Sequence, residues 1–298
     1  MKNSILTSPQ ILAHYGAGVS RPEANLGVYS SCSQNENRDP VFRRKGMLII
    51  VILAVILILI AAVAVVAVPF MTMKRLPETA EINGMCLVKD GFVSAGVVPL
   101  GGHEVALVDA GIDVAGKALL AELSRRGLGA DDVKVILLTH GHHDHIAGVA
   151  RFPKAQVMAL AAEVAVVEGR SPGGGPILRF RSPRPTGIRL SRTLQDGEVI
   201  PLGPYQVRVF AVPGHTPGSA AYAIGGNLFL GDSANQGKDG RLKAGPWAFS
   251  QSAAQNRKSL EDLARRLAGD SSIKTLVFAH SAPLDRGVAP LLEFAGRA

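Results

Sequence analysis

Cysteine is scarce in this chain, with two residues, Cys32 and Cys86, among 298. Two cysteines do not make a disulfide framework of the kind that holds small secreted domains together. They also lie on opposite sides of a long apolar segment, so we expect them not to pair. Cys86 is more typical of a buried small apolar residue than of a metal ligand or a nucleophile.

Aromatic residues are also few, at 5% of the chain, although the net charge of +8 by itself suggests a nucleic-acid partner. The basic cluster consists of Arg179, Arg181, Arg184, Arg189 and Arg192. It lacks the interleaved set of aromatic side chains on which bases stack. We therefore expect a solvated loop or a rim for an anionic substrate, and no nucleic-acid partner.

Charge is missing altogether from residues 47–68, which are apolar throughout. As a helix they span roughly 33 Å, enough for the ~30 Å hydrocarbon core of a bilayer. A buried core helix is disfavoured because it would show a polar face. A cleaved signal peptide is disfavoured because its apolar region is usually only about 7–15 residues long. We expect residues 47–68 to be an uncleaved transmembrane helix that anchors the protein in the membrane.

Basic residues flank this segment unequally. Arg38, Arg43, Arg44 and Lys45 precede it, whereas Lys74 and Arg75 follow it together with the acidic Glu78 and Glu81. Positively charged flanks stay on the cytoplasmic side of a membrane. We expect a single-pass protein with a cytoplasmic N-terminus and a periplasmic or extracellular C-terminal part.

The rest of the chain divides into a tail, a linker and one domain. Residues 1–46 are rich in Ser, Asn, Gly and Pro without apolar periodicity, so we expect a flexible N-terminal tail. Residues 69–78 are expected to be a linker. Residues 79–298 are expected to form one domain, because that length is ample for a single core.

Strand and helix patterns alternate along this domain. Strands are expected at residues 92–98, 104–109, 133–139, 155–160 and 275–279, and as a meander at residues 193–202, 205–212, 220–224 and 227–230. Helices are expected at residues 114–126, 161–168, 251–268 and 289–297. Residues 169–187 are expected to be irregular, as a substrate lid or as disorder. Two runs of strands, each closed by a helix, predict two packed sheets with helices outside.

Four of the eight histidines fall within residues 140–145, together with an aspartate. Histidine is the commonest metal ligand and binds as the neutral imidazole. Imidazoles combined with a carboxylate favour a divalent ion, with zinc as the default. The segment therefore predicts a metal site.

The spacing within this segment divides its side chains between two directions. In extended backbone His140 and His142 share one face, so they can bind one ion together. Asp144 and His145 begin the following turn and can face a second ion. His143 should point away from its neighbours, and we do not expect it to be a ligand.

Three later polar residues, His215, Asp232 and His280, also stand directly after apolar strands. A single histidine at a strand end is more often structural than catalytic. Three such residues in the same context, at one edge of the sheets, favour a shared site. They suggest two metal ions rather than one.

Residues 84–281 resemble the metallo-β-lactamase-fold superfamily. The residues that carry the resemblance are His140-x-His142-x-Asp144-His145, His215, Asp232 and His280, in the family's order, with the early turn Val108-Asp109-Ala110-Gly111. The resemblance implies an α/β (α+β) fold, a four-layer αββα sandwich of two mixed sheets. The metals would lie in a groove at one edge, and one transmembrane helix would precede the sandwich.

The resemblance also implies two divalent ions, most typically Zn²⁺, with Fe or Mn as alternatives. The implied ligands are His140, His142 and His215 for the first ion, Asp144, His145 and His280 for the second, and Asp232 as a bridge. Asp109 would orient a ligand imidazole by accepting its free N–H.

A bridging aspartate at the position of Asp232 is typical of the glyoxalase II-like, lactonase-like and phosphodiesterase-like branches, and drug-hydrolysing β-lactamases usually lack it. We therefore expect β-lactams to be less suitable substrates than other hydrolysable molecules. Glyoxalase II relatives carry an extra helical domain after the position of His280, where this chain soon ends. A glutathione thioester is accordingly not the expected substrate.

The implied reaction is hydrolysis of an ester, thioester, lactone or phosphoester by a metal-bridged hydroxide. Asp144 would be the catalytic residue that holds the hydroxide's hydrogen bond. Two alternatives stay open, a mononuclear iron oxygenase resembling persulfide dioxygenases and a non-catalytic metal-binding domain. Trp247 and Phe249 are expected either to form an apolar wall of the pocket or to cap the core. The sequence indicates a small-molecule substrate without naming it, and it leaves the oligomeric state open.

Overall fold

The computed structural model describes residues 40–180 and 182–297. Cys32, Arg38, Arg181 and the larger part of the expected tail lie outside the described residues. By its contacts the chain divides into two units, residues 1–55 and 56–298. Of the first unit the structure describes residues 40–55, which are helical throughout.

Helix α1, Pro40–Thr72, carries the apolar segment. Its stretch Arg43–Thr72 is long and apolar enough to cross a membrane, with a mean hydropathy of 3.7. The helix extends beyond residues 47–68 at both ends, which corrects the expected boundaries of the flexible tail and of the linker. Apolar side chains continue through Phe70 and Met71, so the helical pattern continues with them.

The remaining helices are short or amphipathic. They are α2 Lys117–Arg125, α3 His143–Ile146, α4 Val164–Val167, α5 Ala253–Arg266 and α6 Ala289–Ala295. Ser252 begins α5 by accepting a hydrogen bond from Gln255 N at 3.2 Å. Gly127, with φ of 72°, ends the segment after α2 in the left-handed conformation that favours glycine.

The strands number fourteen in the described chain. They are β1 Thr79–Ile82, β2 Met85–Asp90, β3 Val93–Gly101, β4 Glu104–Val108, β5 Val133–Leu137, β6 Gln156–Leu160, β7 Arg192–Leu194, β8 Val199–Leu202, β9 Tyr205–Ala211, β10 Ala220–Ile224, β11 Asn227–Phe229, β12 Ala234–Gln236, β13 Leu242–Ala244 and β14 Thr275–Val277. The sequence patterns did not indicate β1, β2, β12 or β13.

Two large mixed sheets result. The first has the order β1-β2-β3-β4-β5-β6-β7, antiparallel up to β4 and parallel from β4 to β7. The second has the order β14-β11-β10-β9-β8, with only the β11–β14 pair parallel. Strands β12 and β13 form a separate pair.

The prediction of one strand at residues 193–202 is wrong. Strand β7 ends at Leu194 and pairs with β6 in the first sheet, whereas β8 begins at Val199 in the second. Gly197, with φ of 79°, lies in the turn between them. The chain changes sheets at this turn, and Leu194 of the first sheet and Ile200 of the second both face the core between the sheets.

Three apolar clusters confirm the four-layer order. Residues of both sheets, such as Val108 and Tyr222, fill the space between them. The outer face of the first sheet packs on α2 through Leu119 and Leu123, and the outer face of the second sheet packs on α5 and α6. The strands are thus buried on both faces, so the polar side chains of a shared site lie beyond the ends of the strands.

Candidate metal centre

The predicted site residues lie just beyond the carboxyl ends of strands in both sheets. Asp109 follows β4, the segment of residues 140–145 follows β5, His215 follows β9, Asp232 follows β11 and His280 follows β14. Parallel neighbours bring their carboxyl ends to the same edge of a sheet, which applies to β4 with β5 and to β11 with β14. The structure brings all seven predicted ligands together there.

The first group consists of His140, His142, His215 and Asp232, whose nearest side-chain atoms lie within 4.8 Å of one another. Nδ1 of His142 lies 3.0 Å from Nε2 of His140 and 3.0 Å from Nε2 of His215. Two nitrogens bound to one tetrahedral zinc ion lie roughly 3.3 Å apart. The three rings therefore converge at nearly the spacing that one ion requires.

The second group consists of Asp144, His145, Asp232 and His280. Nε2 of His280 lies 3.2 Å from Oδ2 of Asp144 and 3.1 Å from Oδ1 of Asp232. Nε2 of His145 lies 3.3 Å from the same Oδ1 atom. This group contains two imidazoles and two carboxylates, a donor set that suits a divalent ion.

Asp232 belongs to both groups. Its Oδ2 atom lies 3.4 Å from Nε2 of His215 and 3.9 Å from Nε2 of His140. Its Oδ1 atom faces His145 in the second group. Oδ2 also lies 3.1 Å from Nε2 of His280 in the second group. The carboxylate thus stands between the two groups and faces imidazoles of both, as a bridging ligand would.

Two hydroxyl groups fix the tautomers of the first group. The Thr139 hydroxyl donates to Asp109, so it must accept from Nδ1–H of His140, 3.1 Å away. The Ser250 hydroxyl donates to the Pro246 carbonyl, so it accepts from Nδ1–H of His215 at 3.1 Å. In both histidines the lone pair then lies on Nε2, which faces the centre of the group.

In the second group a carboxylate and a backbone carbonyl, which are stronger acceptors, fix the tautomers of the two imidazoles. Nδ1 of His145 donates to Oδ2 of Asp109 at 2.8 Å. Nδ1 of His280 donates to the backbone carbonyl of Phe92 at 2.9 Å. Four of the five converging histidines thus use Nδ1 to hold their orientation and leave Nε2 to the site.

Burial and charge make the two groups electrostatically different. Burial lowers the pKa of His140 well below its usual range, that of His142 to about 3 and that of His215 to about 4. These rings are therefore neutral, as a metal ligand must be. In the second group burial acts the same way, but the nearby carboxylates outweigh it and raise the pKa of His280 to about 10.

The buried polar atoms of the site fit divalent ions. Among the described residues, three atoms of the site are buried without a hydrogen-bond partner, namely Nε2 of His142, Nε2 of His145 and Oδ1 of Asp232, and the last two face the second group. Nδ1 of His142 faces two imidazole nitrogens, yet it can make only one hydrogen bond with them. Unpaired buried polar atoms are costly, and an ion in each group would satisfy those that face it.

Two glycines allow the close approach of the loops that carry these side chains. A Cβ atom on Gly141 would lie 2.7 Å from the backbone N of Val167. Gly214 has φ of 130°, and a Cβ atom there would lie 2.1 Å from the backbone N of Asn256. Side chains at these positions would displace the loops of His142 and His215.

Glu163 joins the two loops, and sequence reasoning missed it. Its fully buried carboxylate accepts hydrogen bonds from Gly141 N at 2.9 Å, Thr216 Oγ1 at 2.8 Å and Gly218 N at 2.7 Å. Burial raises its pKa to about 7 against these three donors. Its only signal in the sequence is a glutamate soon after strand β6, which is indistinguishable from a surface residue.

The other predicted residues take the following places. Asp144 is partly exposed in the first turn of α3, and its Oδ2 atom faces His280. His143 is exposed and lies outside both groups. Phe249 is half-buried and packs edge-on against Phe70, whereas Trp247 is exposed, so neither residue caps the core.

The family model of the Metallo-beta-lactamase superfamily matches residues 88–280. The chain therefore belongs to the metallo-beta-lactamase superfamily, as the ligand motif predicts. Among its curated relatives is the hydroxyacylglutathione hydrolase of Vibrio cholerae, 34% identical over 134 residues, which are 44% of this chain and 42% of that protein. The same enzyme of Cupriavidus taiwanensis is 35% identical over 182 residues, 58% of each chain. The chain spans about half the length of the curated relatives it matches.

Solved structures share the fold. One is a B3 metallo-beta-lactamase with an active-site glutamic acid, at a TM-score of 0.54 and 25% identity, covering 72% of this chain and 84% of that one. Another is a metallo-beta-lactamase family protein from Thermus thermophilus, at 0.51 and 26%, covering 73% and 80%. A subclass B3 enzyme of Bradyrhizobium japonicum, at 0.55 and 19%, covers 76% and 92% and shows likeness in fold alone.

Proposed function

We propose that this protein is a membrane-anchored hydrolase with a dinuclear metal centre. The observation that carries the proposal is the position of Asp232, whose carboxylate lies between the two groups and faces His215 of the first and both His145 and His280 of the second. The proposed ligands are His140, His142 and His215 for one ion, Asp144, His145 and His280 for the other, and Asp232 for both. Because the second ligand group is complete, it supports two ions rather than the single iron of an oxygenase. The presence of all seven proposed ligands disfavours a non-catalytic domain.

The protein's own part in the reaction is to orient and to move protons. When bound, two divalent ions would bring the pKa of water toward ~7 and polarise the carbonyl or phosphoryl oxygen of the substrate, which makes the attached carbon or phosphorus more electrophilic. Asp144 is the carboxylate of the second group that is partly open to solvent, at 20% side-chain exposure. We assign it the hydrogen bond that aims the attacking water. Thr139, Ser250 and Asp109 keep the imidazoles in place by holding their Nδ1 protons.

The proposed substrates are esters in the broad sense, namely carboxylic esters, thioesters, lactones and phosphoesters. The relatives named hydroxyacylglutathione hydrolases support a hydrolytic role for this fold and ligand set. The shared B3 fold makes a β-lactam a necessary comparison substrate. Zinc is the proposed ion because mixed nitrogen and oxygen ligands suit it, with iron and manganese as alternatives.

The proposed location is a membrane, with α1 as a single span. Arg43, Arg44 and Lys45 at the start of the apolar stretch support a cytoplasmic N-terminus. The domain that contains the metal centre would then face the periplasm or the exterior.

The test is metal analysis coupled to turnover on the purified full chain in detergent. We expect about two ions per chain and chelator-sensitive hydrolysis of at least one ester class, in a panel of thioester, lactone, phosphodiester and β-lactam substrates. Asp232→Ala should reduce both the metal content and the turnover. Full metal content and unchanged turnover in that variant would refute the bridging role. Oxygen consumption with one iron per chain would favour the oxygenase.

A further inference from the structure

The last turn of α1 packs directly beside the candidate metal centre. The ring of Phe70 meets the ring of His280 edge-on, with centroids 6.1 Å apart, and meets that of Phe249 at 5.8 Å. Immediately after the helix, Met73 forms a β-bridge with Gly237. The apolar helix therefore enters the domain without a spacer, against a side chain of the site itself.

This contact sets the depth of the site relative to a bilayer. Side chains of α1 are exposed and apolar from Ile56 through Val68 with few interruptions, and again at Phe70 and Met71. Phe70 lies only about 3 Å further along the helix axis than Val68. The polar layer on each side of a bilayer is about 5–8 Å thick. If α1 spans the membrane, His280 lies at the depth of the lipid headgroups.

Apolar side chains continue from the helix around the site. We call them the apolar rim, which consists of Phe70, Phe92, Ile177, Trp247 and Phe249. Phe92, Trp247, Phe70 and Ile177 are 57%, 51%, 40% and 38% exposed. Exposed apolar side chains gathered beside a site mark an interaction surface, and tryptophan, present here as Trp247, concentrates at membrane interfaces.

Contacts connect the segments that carry the rim to His280 and to one another. The ring of Phe92 stacks on the ring of His280, with centroids 5.6 Å apart. Ile177 N donates to the carbonyl of Ala248 at 3.2 Å, which joins the loop of residues 169–187 to the turn of Trp247 and Phe249. Ile177 is thus held against the same turn whose Phe249 contacts the end of α1.

Positive charge borders this surface. Lys74 and Arg75 are exposed immediately after α1, and Arg179 is exposed two residues beyond Ile177. Basic side chains beside a membrane attract anionic lipid headgroups. The rim and its border together have the composition of a lipid-facing surface.

We propose, on the basis of the function proposed above, that the substrate is a membrane lipid with an ester linkage at headgroup depth. The helix end and the apolar rim hold its acyl part, and the ester lies over the two ligand groups. A water-soluble thioester would gain nothing from a rim of this kind, whereas a bilayer-resident amphiphile reaches the site without leaving the membrane.

The reaction is a simple hydrolysis that consumes one water. The water oxygen bonds to the acyl carbon or the phosphorus of the lipid, and the bond from that atom to the leaving alcohol oxygen breaks. The alcohol oxygen takes up one proton and the released acid gives up the other. One product stays in the bilayer when the cleaved bond links the headgroup, and both stay amphiphilic otherwise.

Trp247 allows a test that needs no turnover, because it is the single tryptophan of the chain. The full chain is reconstituted into phosphatidylcholine vesicles with a minority of phosphatidylglycerol, with and without brominated acyl chains. We expect the brominated lipid to quench the fluorescence of Trp247. The control is the double variant W247F/V199W, which moves the tryptophan to the exposed edge strand β8 and should escape quenching. Equal emission of Trp247 in both lipids overturns the proposal.

A second test compares substrates that differ only in their apolar part. The full chain with added Zn²⁺ is assayed on methylumbelliferyl palmitate in the same vesicles and on methylumbelliferyl acetate in solution, with a long-chain and a short-chain phosphodiester as a second pair. We expect the vesicle-bound member of a pair to be cleaved faster. The double variant I177S/W247S should lower the ratio of the two rates about tenfold, the loss of about 1.4 kcal/mol of apolar contact. Val199→Ser should leave the ratio unchanged.

The outcomes distinguish a failure of the lipid-substrate proposal from a failure of the proposed hydrolase function. Chelator-sensitive cleavage with no preference for vesicles, and with Trp247 unquenched, overturns the lipid substrate and leaves the hydrolase standing. The absence of any Zn²⁺-dependent cleavage overturns the hydrolase and the substrate with it. If Trp247 escapes quenching only at high protein concentration, a second copy of the chain covers the rim. That outcome also overturns the proposal.

Discussion

His145 Nδ1 donates a hydrogen bond to Asp109 Oδ2 across 2.8 Å, and both side chains are buried. Asp109 stands in the left-handed region, with φ of 64°, just after strand β4. Its carboxylate also accepts from the backbone N and the hydroxyl of Thr139, at 2.7 and 2.8 Å. One carboxylate therefore orients a proposed ligand and joins the ends of β4 and β5.

Asp109→Asn tests this arrangement without disturbing the backbone, because asparagine tolerates the left-handed region. The variant loses the negative charge and one acceptor oxygen, so the hydrogen bond that orients His145 weakens. We expect the zinc affinity of the second group to fall about 10–100-fold, as for other partners of metal ligands. Competition with a chromophoric chelator measures it. Asp131→Asn, an exposed carboxylate, is the matched control, and equal losses in the two variants would contradict the assignment.

Adjacent histidines give a sharper test of the ligand set. His145 is buried in the second group, whereas His143 is exposed in the same short helix. His145→Ala should reduce the metal content from about two ions to about one, and kcat/KM by at least about 100-fold. His143→Ala should keep both ions. Metal analysis and steady-state kinetics on the two variants check this, and a similar loss in both would refute the division of the motif.

Glu163 predicts a pH dependence of stability. Its pKa is raised by burial from 4.5 to about 7, so the folded protein holds a proton there that the unfolded chain has lost. Its contribution to stability is therefore largest below pH 4.5 and decreases as the pH rises to about 7, by ~3 kcal/mol. Glu163→Gln carries no titrating group and lacks this decrease.

The measurement compares melting temperatures of metal-free full-length protein in detergent at pH 5 and at pH 8. The wild type should lose more stability over this interval than Glu163→Gln does. Glu104→Gln, at an exposed carboxylate, should follow the wild type. The same pH dependence in all three proteins would show that Glu163 does not titrate in this range.

The proposed orientation predicts which side of the membrane bears β8. A cysteine placed at its exposed edge, by Val199→Cys in a C32S/C86A background, should react with a membrane-impermeant maleimide on intact cells. The background without the new cysteine should not react. Labelling that appears only after lysis would place the domain in the cytoplasm and reverse the orientation.

Much of the fold is local enough to be predicted from the chain. The hairpin of β3 and β4 follows from two apolar runs joined by Gly101 and Gly102, whose φ values are 99° and 58°. The strand prediction at residues 193–202 failed because period-two patterning does not show which sheet a strand joins. Strand β2 was missed because it is buried on both faces, so no alternation marks it. Strand β1 does alternate, but its four residues are too few for the pattern to stand out.

The candidate site also contains residues that could be predicted from the sequence and residues that could not. The four predicted ligands between His140 and His145 are close in sequence, so backbone geometry alone brings them together. Glu163, Ser250 and the carbonyl of Phe92 act on the site only because loops of distant segments pack against it. Such contacts leave no pattern in the sequence around them.

By itself the sequence determined the ligand types, their grouping at strand ends and the apolar helix, because each depends on short stretches of backbone with a fixed period. Only the tertiary structure decided that the carboxylate of Asp232 lies between the two imidazole groups, which tautomer four of the imidazoles adopt, and that Phe70 packs against His280. These relationships arise when two sheets and a helix end pack together. Packing depends on the shape of the whole core and not on the spacing of residues along the chain.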